Sequence, residues 1–369
     1  MISRRSFLPS LAAAAACRRK GAASLAGYAF VANRAGRAIA AVDLSALAVV
    51  RHIRLADEPV SLTTHRSLPF VYVSLPGSAL LQEISTDRLE AGRSLRLPGP
   101  AAQLAFERGG TAVWALIPES RHLLRISPQK MAVEARVSLP HAGADFALSQ
   151  EGEWAGVSLG DTGKAALIRR NEAKLDRIVE FGSTLGGVRF RSDDRFLIAS
   201  DLDARAAVFY DIAASRVAVR LPLPVRPENL CFKPDGGQLF LTGEGMDAVV
   251  TVYPYQTEVG ATTLAGRAPG VMAASHVPDY LFVANPTENT VTILNVATQR
   301  AMAAAQVGRE PCHISITPNQ EYAVVLNRKS GDMSMIHIPT LSARRNKAAA
   351  IFTQVPVGSE PVAAVVRAV

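Results

Sequence analysis

Short runs of β-branched and aromatic residues recur along the chain at one spacing. They begin at Tyr28 (YAFVAN), Phe70 (FVYVSL), Ala112 (AVWALI), Trp154 (WAGVSL), Phe196 (FLIASD), Gln238 (QLFLTG), Tyr280 (YLFVAN) and Tyr322 (YAVVLN), every step being 42 residues. A second landmark, an apolar residue closing a strand before a Gly/Pro-rich turn, falls at Leu55, Leu97, Leu139, Phe181, Leu223, Ala265 and Val307, again 42 residues apart. The next such residue, Val357, lies 50 further on, and the basic loop from Ser342 to Ala349 supplies the eight-residue excess. Between landmarks each unit holds four short strand signals separated by turn residues, as in AQLAFE, AVWAL, LLRIS and VEARVSL. Helical hairpin repeats of similar period need a 3.6-residue periodicity and good helix formers, which these segments lack.

Four short strands per repeat make a propeller blade. A four-stranded sheet cannot bury both faces alone, so blades must pack face to face, and closing the ring leaves few bare edges. The strand preceding each YAFVAN-type run is the innermost, expected at 61–66, 103–108, 145–150, 187–192, 229–234, 271–276, 313–318 and 363–368. The first blade lacks a preceding inner strand and the last inner strand lacks a following partner. Pro361 to Val369 is therefore expected to complete the blade opened by Tyr28. The fold class that follows is all-β: one eight-bladed β-propeller over residues 28–369, closed by pairing of N- and C-terminal strands. A seven-bladed ring with one peripheral repeat is the alternative.

Ahead of the repeats, residues 3 to 8 read Ser-Arg-Arg-Ser-Phe-Leu and lead into the small apolar run Pro9 to Ala16. This is similar to a twin-arginine export signal, with Pro9 where the pattern has Lys. Residues 1–17 are read as that signal and 18–27 as a linker, which places the domain in the periplasm or another extracytoplasmic compartment. Cys17 after Ala14-Ala15-Ala16 resembles a lipoprotein box, making lipidation at Cys17 and a membrane anchor one expectation; cleavage at Ala14-x-Ala16 is the other.

The stretch Tyr280 to Asn327 closely resembles the YVTN-type (YncE-like) propeller repeat of bacterial and archaeal extracytoplasmic proteins, through Asn289-Thr290-Val291, Val307-Gly308, Pro311 and Pro318. The other copies diverge, and the Gly-His and Trp-Asp signatures of WD repeats are absent. The resemblance spans residues 26 to 369. It implies a propeller acting in binding or surface assembly, and it supplies no catalytic residues.

Composition narrows the chemistry only a little. The net charge of +8 falls to +6 once Arg4 and Arg5 leave with the signal. The only basic runs, at 18–20 and 344–347, are short, so no nucleic-acid partner is expected. Three cysteines, at 17, 231 and 312, show no CxxC spacing, and Cys231 and Cys312 fall in non-adjacent blades, too distant for a disulfide. HExxH, GxSxG and Walker patterns are absent. Asp201, Asp203, Glu244 and Asp247 fall in turns, where aspartate bonds local backbone. No metal and no cofactor are expected.

Aligned by register, the inner strands carry an apolar column (Leu62, Leu104, Phe146, Val188, Leu230, Met272, Ile314, Ala364) beside columns of small and polar residues. The polar members suggest a wet central channel with Gln103, Asp145, Arg189, Asn229 and His313 at its mouth as ligand-binding candidates. Loops entering the inner strands add Glu58, His141, Arg226, Arg267, Arg309, Glu310 and Glu360, a ring of mixed charge that could receive a partner. The favoured reading is a non-catalytic, monomeric binding or interaction scaffold for a protein, peptide or cell-surface polymer. The alternative is a channel-mouth enzyme of lactonase or lyase type, or a propeller holding a redox cofactor.

Overall fold

A computed structural model describes residues 26–65, 67–341, 348–349 and 351–368. Residues 1–17, where an export signal and lipidation at Cys17 are expected, and most of the 342–349 insertion lie outside the described residues. Each repeat folds into an antiparallel sheet, and eight such sheets form the ring; among the described residues there is no α-helix. We number the blades by their inner strands: Pro361–Ala368 (blade 1), Ser61–Thr64 (blade 2), Gln103–Phe106 (blade 3), Asp145–Leu148 (blade 4), Leu185–Phe190 (blade 5), Asn229–Phe232 (blade 6), Met272–Ala274 (blade 7) and Pro311–Ile316 (blade 8). Blade 1 is composite, as the sequence predicts. Gly27–Asn33 pairs antiparallel with Pro361–Ala368, from Gly27 opposite Ala368 to Asn33 opposite Pro361. Blade 7 differs from expectation in carrying a fifth strand, Ala348–Ala349, which runs parallel to Arg300–Gln306 and uses part of the insertion to cover an outer edge.

Burial follows position in the blade. The second strands are buried almost throughout, Tyr280–Asn285 and Tyr322–Asn327 at every residue, because both of their faces meet neighbouring blades. Outer strands such as Lys174–Glu180 alternate exposed and half-buried residues. Seven turns into outer strands place a non-glycine residue in the left-handed region at identical register: Leu47, Leu89, Met131, Ala173, Ser215, Thr257 and Gln299, with φ between 46° and 54°. A register shift follows each in the outer ladder, so turn and bulge together restore the pairing.

An amide lock explains one feature of the repeat. Asn33, Asn285 and Asn327 end second strands and are fully buried. Asn33 Nδ2 donates to the Val357 carbonyl at 2.7 Å, and Asn285 Nδ2 to Thr290 and Thr292 hydroxyls at 3.1 and 2.9 Å. The loop entering the same blade passes so close that a Cβ on Gly358 would lie 2.8 Å from Asn33 Nδ2, and one on Gly266 2.5 Å from Asn285 Nδ2. Asp201 plays the same part opposite Gly182, whereas Gly308, at the equivalent place in blade 8, faces Ser330 and Asp332, the latter accepting from Asn327 Nδ2 at 2.6 Å. Where the same register position instead holds Leu75, Ile117, Leu159 or Gly243, the loop position is Ala56, Pro98, Pro140 or Pro224. Glycine stands in the loop wherever that register position holds Asn or Asp.

Candidate functional site at the channel mouth

The channel sees the edge of each innermost strand, not a face. Alternate side chains of that strand therefore turn to the preceding and to the following blade: Ala105 packs with Phe146 and Leu148, Ala147 with Val188 and Phe190, and Ala273 with Ile314 and Ile316. The polar column obeys the same geometry. Ser61 Oγ accepts the Leu104 N–H at 3.2 Å. Gln103 is bidentate on Phe146, its Oε1 accepting the N–H at 3.1 Å and its Nε2 donating to the carbonyl at 3.2 Å. Asp145 Oδ2 accepts the Val188 N–H at 2.9 Å. Each of these side chains latches the open edge of the next blade, meeting backbone groups that a sheet edge otherwise leaves bare.

The run of latches stops at Gly187, and beside it a cavity of about 530 Å³ opens on the face where the inner strands begin. Asp145, Gly187, Arg189, Glu228, Asn229 and Met272 line it, with Leu185, Leu202, Leu230 and Val271 as its apolar wall. Arg189 donates to Asp145 Oδ2 at 2.6 Å and to the Val188 carbonyl at 2.6 Å. Arg226 lies 3.6 Å from Glu228 and 3.7 Å from Asp203. The Asn229 side chain makes no hydrogen bond with a described residue. Of the five channel-mouth candidates, the structure brings Asp145, Arg189 and Asn229 together, with Gln103 latched to blade 4 beside them.

His313 stands elsewhere, in blade 8 against the closing strand. Its Nε2 is buried without a hydrogen-bond partner, as is the Ser315 hydroxyl two residues on. Burial pushes the imidazole down to about 4, partly offset by a hydrogen bond with the Ala364 backbone. Cys231 and Cys312 are unpaired, and burial raises both thiols, Cys231 to about 11.

The loop candidates share one face but divide in their contacts. Glu58, His141, Arg267 and Arg309 are exposed. Glu310 takes Arg328 at 3.1 Å and Lys329 at 3.0 Å, and hydrogen bonding from Lys329 holds its carboxyl below the usual range. Glu360 faces Arg34 at 3.5 Å. These two pairs flank a second cavity, of about 770 Å³, across the seam between blades 8 and 1. Sequence reasoning missed Arg34, Arg328 and Leu202, although they stand in one register column with the 42-residue repeat as the signal. Glu228 was missed although it is the one charged residue in a column of Val60, Ala102, Ala144, Gly186, Gly270, Cys312 and Val362, and Met272 was missed because it stands in the apolar column assigned to the core. Among the described residues no three His, Cys, Asp or Glu side chains cluster as a metal site.

A family model described as a seven-bladed β-propeller lactonase matches residues 186–357, a little under half of the chain. A search of curated proteins found no match. Among solved structures, the ring is similar to dihydro-heme d1 dehydrogenase NirN in complex with DHE, with a TM-score of 0.74, 12% identity and coverage of 95% of this chain and 77% of that one. A functionally unknown protein from Desulfotomaculum acetoxidans gives 0.63 and 14%, covering 81% and 99%. Hydrazine synthase of Kuenenia stuttgartiensis gives 0.58 and 15%, covering 73% and 92%. At these identities the likeness concerns the fold. On sheet order, closure and these matches, the chain is a β-propeller of eight blades.

Proposed function

We propose that this propeller is a binding module that takes its ligand in the cavity over blades 4 to 7. One observation carries the reading: the wall combines an apolar surface with a few held polar groups, and it includes no His, Ser, Thr, Cys, Lys or Tyr. Such a lining orients and retains a ligand, whereas nucleophilic or histidine-based chemistry would need groups it lacks. The Ser3 to Leu8 signal and the YVTN-type resemblance support an extracytoplasmic site of action, with Cys17 as the anchor point where it is lipidated. The test is selection of a phage-displayed random peptide library on the full chain. Enriched peptides that fail to bind Met272→Trp, which fills the cavity, support the reading; absence of enrichment, or equal binding to the variant, overturns it.

Lactone hydrolysis is the second reading, favoured by the family match, whose residues 186–357 include the blade 5 to 7 side of the cavity. Here Asp145 or Glu228 would have to serve as the base. Proton release from γ-butyrolactone in a pH-stat, abolished by Asp145→Asn or Glu228→Gln, would favour it over binding alone.

A further inference from the structure

The interrupted latch identifies the chemistry of the ligand. In blade 6 the Lys233 N–H bonds the Gln238 carbonyl of the neighbouring strand. Strand alternation then turns the amides of Asn229 and Cys231 to the same side, and those of Leu230 and Phe232 to the open edge. Leu230 occupies the register of Leu104, Phe146 and Val188, whose edge amides are taken by Ser61, Gln103 and Asp145. Its own latch position is Gly187, which has no side chain to offer. Met272 repeats the arrangement in blade 7, because Asn229 makes no such bond. Both residues line the cavity, so two main-chain donors stand beside its apolar wall.

The charges nearby are already paired. Asp145 holds Arg189, and Glu228 holds Arg226, so the site asks for a neutral acceptor more than for an ion. An extended peptide meets all three conditions: a carbonyl oxygen for an edge amide, alternate side chains for the apolar wall, and no requirement for net charge. We propose that the cavity binds an extended peptide segment by main-chain addition to the edge of blade 6, a carbonyl accepting the Leu230 N–H, and that Gly187 is the residue that keeps this edge available. The inference rests on the binding-module reading and adds the anchor atom and ligand class.

Gly187 can be given the latch its neighbours have. A Cβ there would meet Leu230 Cδ1 at 2.9 Å and Asp145 Oδ2 at 3.3 Å, so the closest contact is the movable end of a leucine. Gly187→Ser places a hydroxyl where Ser61 has one, and Gly187→Ala adds the carbon without the acceptor. The probe is a synthetic copy of one peptide enriched in the selection above. Fluorescence anisotropy gives its Kd, and hydrogen exchange on the 15N-leucine-labelled full chain reads the Leu230 amide. The peptide is expected to slow exchange at Leu230, and Gly187→Ser to weaken binding about tenfold, the equivalent of one hydrogen bond, with a smaller loss in Gly187→Ala. Unchanged affinity in Gly187→Ser together with unprotected Leu230 overturns this inference while leaving the cavity reading intact, since Met272→Trp still blocks the peptide. Failure of every peptide to bind the wild-type chain takes down the cavity reading itself.

Discussion

Acid should loosen the ring at its closing seam, and His313 is the group that sets the pH. The imidazole sits between the blade 8 inner strand and the closing strand, its Nε2 without a partner, and burial holds its pKa at about 4 against the ordinary 6.5. Well above pH 6.5 the imidazole is neutral in folded and unfolded chains alike, and its titration adds no cost to folding. As pH falls below 6.5 the unfolded chain takes up the proton first. Stability is then lost until the folded ring protonates near pH 4, after which the loss levels off. From these two values the penalty is about 2 kcal/mol at pH 5 and about 3 kcal/mol at its limit. Urea unfolding of wild type and His313→Gln at pH 7.5, 6 and 5 measures it, because the carboxylates common to both chains cancel in the difference. The wild-type deficit should grow by about 2 kcal/mol from pH 7.5 to 5. A difference that stays constant with pH would show that His313 is not held neutral at the seam, and the reasoning would fail.

Two further outcomes follow from buried polar contacts. Glu107 is buried and accepts from the Trp114 indole N–H at 2.7 Å and from Thr111 at 2.6 Å, with Arg170 of blade 4, itself buried, at 3.5 Å. Glu107→Gln should cost about 3 kcal/mol in urea unfolding, because it strands the Arg170 charge between blades. Burial tends to raise the Glu107 carboxyl, yet the bonds from Thr111, Trp114 and Arg125 outweigh it and hold the group below its ordinary 4.5. This stabilisation is therefore complete above pH 4.5 and fades as pH drops further, a loss that the glutamine variant should not show. Gly266, at φ +91° and against Asn285, should lose about 2 kcal/mol on substitution by alanine. A double variant that also carries Asn285→Ala should recover the steric part, and strict additivity in thermal melts would refute the lock.

The repeat made the architecture legible because propeller stability depends on register, and register is what a fixed period preserves. Tyr28 at the start and Pro361 to Val369 at the end could be matched as one blade before any coordinate was considered. The direction of the inner-strand side chains was harder to see. Period-two alternation marks two faces, but it does not say that both faces of this strand meet blades while the channel meets its edge. Gln103 and Asp145 thus look like free channel polar groups in the sequence, and the structure shows them engaged with the next strand's backbone. Gly187 carries no sequence signal of its own, since its contribution is a missing side chain. The Asn–Gly lock lies between these cases: each partner is visible in its column, and the 2.5 to 2.8 Å approach explains why Gly266 accompanies Asn285 and Gly358 accompanies Asn33.

The composite blade also governs how the molecule can come apart. In the other seven blades the four-strand ladder is built from strands close together in the chain, whereas the pairing of Gly27–Asn33 with Pro361–Ala368 ties residues more than 300 positions apart. Bringing those segments together costs about 5 kcal/mol in loop entropy, which the seam ladder and the apolar cluster around Val31, Val324 and Ala364 must offset. An open array could fray from either tip one repeat at a time. A ring sealed through its most distant pair has no tip, so its loss of structure is a breach at the seam followed by general collapse, and its assembly waits on the slowest encounter in the chain.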